Sequence, residues 1–151
     1  MEKLGFSNQW IQWIMACVTS VKYSVKFSGA ILDSFTPSRG LHQGDPLSPF
    51  LFLFVVDGLS ALLRQGVASN NIAPVKVCRR APGVSHLLFA DDTLLFFKAN
   101  QEKAMCVKGV IQSYALATGQ LINTQKCSIQ FSDACPEEIQ LQVRQILDVQ
   151  K

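Results

Sequence analysis

Two adjacent acids, Asp91 and Asp92, interrupt the apolar run HLLFADDTLLFF (residues 86–97). Carboxylates this close repel each other unless something positive neutralises them. A divalent cation does this well. Mg²⁺ typically takes one or two protein carboxylates and fills its other positions with water and phosphate oxygens. Two such ions about 3.5–4 Å apart can clamp the attacking and leaving oxygens of a phosphoryl transfer. Asp-Asp also occurs in ordinary turns, where it only caps backbone amides. The apolar residues on both sides favour a strand, a two-acid turn and a second strand, which would hold the acids at a rigid hairpin tip.

The flanking elements follow from local signals. Ser7 can cap a first helix with Trp10, Ile11, Ile14, Met15 and Val18 as its apolar stripe. VKYSVKF (21–27) alternates as a strand, and Ser28-Gly29 turns it into a second strand over 30–35. The loop PSRGLHQGDPLSP (37–49) ends in Asp45-Pro46, a helix start with an acid N-cap. The helix that follows, about 46–65, is apolar on most of its surface and so is expected to be buried. A short strand is expected near Val75–Cys78. Asn100 should cap a helix running to about Thr118, closed by Gly119. LINTQKCSIQF (121–131) reads as a strand pair or one bent strand, and Pro136-Glu137-Glu138 opens a terminal helix.

Apolar residues make up 48% of the 151-residue chain and charged residues 17%. Soluble domains usually carry about 25% charged residues, so the solubilising surface is sparse. The net charge of +3 is compatible with a polyanionic partner without demanding one. Five cysteines, with no CxxC pair, argue against a disulfide framework and a zinc site, and for reduced thiols inside a cell. No leader pattern precedes an apolar segment, and the longest apolar run (50–56) is far shorter than a membrane span's roughly 20 residues. An intracellular protein with no membrane segment is expected.

Four segments, in order, resemble one family. FADDTLLF (89–96) looks like the catalytic hairpin of reverse transcriptases. RGLHQGDPLSPFLF (39–52) resembles the loop and helix of the non-LTR (LINE-type) retrotransposon enzymes, of plant-like flavour. LGFSNQWIQWIMACV (4–18) is similar to their preceding helix, and ATGQLINTQKCSIQFS (117–132) to the segment after their catalytic hairpin. The resemblance implies an α+β fold: a polymerase palm-like antiparallel sheet with packed helices, an incomplete βαββαβ. Residues 1–151 would form a partial palm domain, with 133–151 as a C-terminal helix leading toward the thumb.

The resemblance also assigns roles. Asp91 would bind metal, with Asp92 as its neighbour and Phe89 and Ala90 in the two preceding positions of the motif. Gln43 and Gly44 would line nucleotide and template, and Arg39 would approach phosphates. Lys126 matches a lysine thought to protonate the pyrophosphate leaving group. Mg²⁺, an RNA template, a DNA primer and deoxynucleotides are the implied cofactor and partners. Two departures stand out. His42 replaces a residue that is usually arginine. The family's first palm strand, which carries another metal-binding aspartate, lies upstream of the LGF helix, where this chain offers only Glu2, and Asp33 sits where the family places no ligand. The expectation is therefore a polymerase by family that is inactive alone and self-associates through exposed strand edges. A non-catalytic remnant or a binding module derived from a retrotransposon is the alternative.

Overall fold

The computed structural model describes residues 1–38, 40 and 44–150. The expected roles of Arg39, His42 and Gln43 fall outside them. The chain forms two compact units, Met1–Phe54 and Val55–Lys151. Helices and small antiparallel hairpins alternate, which is an α+β composition.

In the first unit, α1 (Asn8–Thr19) begins where Ser7 Oγ accepts from the Trp10 amide at 3.3 Å. Its expected apolar stripe is only partly covered. Ile14 is buried, whereas Trp10 and Met15 are exposed. Ser28 and Gly29 both take positive φ, 48° and 86°, as a tight hairpin turn requires. The strands they join are shorter than the alternation suggests. β1 (Lys26–Phe27) and β2 (Ala30–Ile31) pair for two residues each, and Tyr23 and Phe35 add one further bridge. All four hairpin residues are exposed, so no buried face extends the ladder.

Helix α2 (Ser48–Ala68) runs from the first unit into the second. It starts two residues later than Asp45-Pro46 suggests. Asp45 Oδ1 accepts from the Leu47 amide at 2.8 Å and its carbonyl from Ser48, so residues 45–47 form a turn ahead of the helix. The helix is long and apolar enough to cross a membrane by length and composition. It is also less buried than expected: Phe50 and Leu53 are 65% and 62% exposed, and only Leu59, Ser60, Leu63 and Gly66 are buried.

The second unit's core joins Leu59 and Leu63 of α2 with Ile72 and with Val107 and Tyr114 of α3 (Gln101–Thr118). Asn100 Oδ1 caps α3 by accepting from the Lys103 amide at 2.8 Å, and Gly119 closes it at φ 71°. Helix α4 (Glu137–Leu147) packs on α3 and buries Val143 completely. Residues 121–131, expected as strand, contain none. Arg144 of α4 holds this segment instead, donating to the Ile129 carbonyl at 3.4 Å and lying 5.2 Å from the centre of the Phe131 ring. The strand expected at 75–78 reduces to a single bridge, Val75 with Val84. Among the described residues the strands thus make two separate two-stranded sheets, β1–β2 and β3–β4.

Candidate functional site

Strand β3 (His86–Phe89) pairs antiparallel with β4 (Asp92–Leu95), with Phe89 opposite Asp92. Alternation sorts the side chains. Leu88 and Leu95, with Phe97 just beyond, lie against the core, while Phe89 is 82% exposed. The two-residue connection is Ala90 and Asp91 rather than the expected pair of acids, because Asp92 already pairs with Phe89 as the first residue of β4. Ala90 takes φ 50°, a left-handed conformation that costs a non-glycine residue about 1 kcal/mol or more. The apolar base against the core fixes this turn in place.

Asp91 and Asp92 are both exposed at this tip. Among the described residues, neither carboxylate makes a hydrogen bond or salt bridge. Their mutual repulsion is therefore left to solvent and ions. This donor set suits a hard cation such as Mg²⁺, which accepts one or two carboxylates and keeps its waters. No group of three or more His, Cys, Asp or Glu side chains placed to hold a metal occurs among the described residues. Because the Asp91 carboxylate has no partner among the described residues, Asp91→Asn should leave the melting temperature in EDTA unchanged or slightly higher. A clear fall would reveal a structural hydrogen bond to Asp91.

The other expected site residues are dispersed in sequence. Gly44 has φ 94° with open space where a Cβ would lie, so conformation rather than close packing within the protein calls for glycine there. Lys126 is exposed in a turn, its amide donating to the Asn123 carbonyl at 3.0 Å. Among the described residues, no hydrogen bond or ion pair joins it to Asp91 or Asp92.

A polar network at the base of the hairpin escapes sequence reading. Ser60 of α2 lies 2.8 Å from His86 Nε2, and Arg64 donates to the same Ser60 oxygen at 2.8 Å. Ser85 lies 2.9 Å from His86 Nδ1. Arg64 can only donate, so the serine proton is free to point at Nε2 while Nδ1–H donates to Ser85. The network fixes β3 on α2 and so sets where the tip stands. Its only sequence hint is Ser60 and Arg64 one helical turn apart. Asp57 completes it weakly through an exposed 3.4 Å ion pair with Arg64.

Burial, and then the Arg64 charge, lowers the pKa of His86 below its usual value. The unfolded chain therefore takes up this proton first as pH falls. The histidine's contribution to stability is complete above about pH 6.5 and declines as pH drops from there toward the folded-state value. Urea midpoints at pH 7 and pH 5.5 should differ less in His86→Gln than in the wild type. An equal acid loss in both would remove His86 from the account.

The chain is similar to several known proteins. It matches the family described as reverse transcriptase (RNA-dependent DNA polymerase) over residues 1–146. An uncharacterized mitochondrial protein of Arabidopsis thaliana, AtMg01250, is 47% identical over 66 residues, covering 44% of this chain and 54% of that protein. The Pol polyprotein of the R2 retrotransposable element of Popillia japonica is 27% identical over 131 residues, covering 85% of this chain and 20% of the polyprotein. That of element R2DM of Drosophila melanogaster is 30% identical over 104 residues, covering 69% of this chain and 9% of the polyprotein. The chain thus spans about half of the first relative and a fifth or less of the other two. No solved structure matches it significantly.

Proposed function

Since this chain belongs to the reverse transcriptase (RNA-dependent DNA polymerase) family, of the non-LTR retrotransposon type, we propose that it is a piece of the polymerase palm and that its β3–β4 tip is the catalytic hairpin. The observation that carries this reading is the pair of exposed acids at the hairpin tip, unpaired among the described residues, within a match that runs over nearly the whole chain. The reaction is attack of a DNA primer's 3′-hydroxyl on the α-phosphate of a deoxynucleotide, directed by an RNA template.

In this reading Asp91 and Asp92 hold Mg²⁺. When bound, the ion supplies the positive charge that offsets both carboxylates and the phosphate oxygens. Phe89 and Ala90 shape the approach to the tip. Gln43 and Gly44 line the nucleotide and template, Arg39 neutralises phosphate, and Lys126 gives a proton to the departing pyrophosphate. The five free thiols suit a reducing, intracellular setting.

Two acids are fewer than a complete two-ion site uses, so the 151-residue chain alone should give no primer extension with Mg²⁺ or Mn²⁺. Co-expression with a palm segment supplying a third carboxylate should restore extension on an RNA template, and Asp91→Ala should abolish it. Extension that survives Asp91→Ala would overturn the assignment. Self-association is part of the same reading. Among the described residues the paired hairpins have open edges, and Phe27, Ile31, Phe50 and Phe89 are exposed. Sedimentation should show oligomers at micromolar concentration, and a stable monomer would contradict this.

A further inference from the structure

Between Asp57 and Asp91 the chain contains no acid. Three cations fall close together there, Lys76, Arg79 and Arg80, all exposed. Among the described residues, none of them enters a salt bridge or side-chain hydrogen bond.

Their placement is built. The ribbon that carries them closes at a neck where Val75 and Val84 exchange two backbone hydrogen bonds of 2.9 and 2.8 Å. Pro74 lies so close across the neck that a Cβ on Gly83 would meet its Cγ at 2.8 Å. Ile72, just before the neck, is 1% exposed in the core. Just after it, the Ser85 carbonyl accepts from the Phe96 amide at 2.8 Å, tying the ribbon to the base of the β3–β4 hairpin. Arg79 and Arg80 occupy the turn itself, closed by the Ala81 amide donating to the Cys78 carbonyl at 3.0 Å. The tip is therefore a pair of adjacent guanidiniums and a nearby ammonium, held out by a proline-braced neck, which lowers the ordering cost of binding.

We propose that this tip is a contact for the phosphate backbone of a nucleic-acid strand, with Lys76, Arg79 and Arg80 as its charges. The choice of nucleic acid over another polyanion rests on the polymerase reading above. Contacts of this kind position a strand without reading its bases. They also carry a defined salt signature, because each neutralised phosphate of a single strand releases about 0.7 counterion.

The test is fluorescence anisotropy of a labelled single-stranded RNA with the full chain, between about 50 and 200 mM salt. The triple substitution Lys76→Gln, Arg79→Gln, Arg80→Gln should lower the slope of log affinity against log salt by about 2. The pair Arg79→Lys and Arg80→Lys should retain the wild-type slope. Cys78, exposed in the turn, gives a second readout: RNA should slow its alkylation while leaving that of exposed Cys17 unchanged. A triple variant with wild-type slope, or Cys78 alkylated as fast with RNA as without, would overturn the proposal. So would loss of binding to phosphatidylserine vesicles with RNA binding intact, which would make the tip a membrane contact. The measurement needs no polymerisation, so it can fail with the hairpin reading intact, or succeed with that reading wrong.

Discussion

Leu63→Ala is expected to cost about 2–5 kcal/mol of stability. Leu63 is 1% exposed and sits where Leu59, Ile72, Val107 and Tyr114 meet. Truncation removes three buried carbons and leaves a cavity whose walls belong to α2, α3 and the connection at Ile72. Leu88, Leu95 and Phe97 of the hairpin pack against the same cluster. The loss should therefore reach the hairpin: amide exchange at Leu88 and Leu95 should accelerate more than at Gln140 and Leu141 near the N-terminal end of α4, away from Leu147, which packs on the same cluster. Urea denaturation gives the first quantity and hydrogen exchange the second. A cost below about 1 kcal/mol would mean that the cluster is not the core of this unit.

Gly66→Ala should also be severe, at about 1–3 kcal/mol. An added Cβ would lie 2.8 Å from Ile72 Cδ1 and 3.1 Å from its Cγ1. Ile72 cannot retreat easily, since it is buried and its amide donates to the Gly66 carbonyl at 3.0 Å. Ile72→Val removes the nearer of the two crowding atoms. The double variant should thus be more stable than the sum of the two single costs implies, by about 0.5 kcal/mol or more. Strict additivity would place the cost of Gly66→Ala elsewhere in the helix.

Features set by neighbours in sequence were legible in advance. Ser7, Asn100 and Gly119 cap their helices as their residue types require, and Ser28-Gly29 makes its turn. The β3–β4 hairpin was legible because apolar strands flank a polar pair within twelve residues. Features set by distant partners were not. LINTQKCSIQF has the apolar spacing of a strand, but a strand also needs an edge to pair with, and Arg144 holds this segment in another way. The composition of α2 suggests burial all round, yet burial depends on what lies opposite each face, and Phe50 and Leu53 remain exposed. The Asp45-Pro46 signal is a sound helix start, but the aspartate caps a preceding turn. The Ser60–His86 link spans 26 residues and has no local signature. The adjacent acids stand out in the sequence, but the network that seats their hairpin on α2 does not.

Asp91 and Asp92 are proposed above to form a cation site at the hairpin tip. Paramagnetic broadening by Mn²⁺ in amide NMR spectra tests it most directly, since it needs neither primer nor activity. Trace Mn²⁺ should broaden Phe89, Ala90, Asp91, Asp92 and Thr93 first, Mg²⁺ should compete, and Asp91→Asn with Asp92→Asn should remove the effect. Broadening centred on Asp57, Asp133 or the Glu137-Glu138 pair, with the tip unaffected, would contradict it.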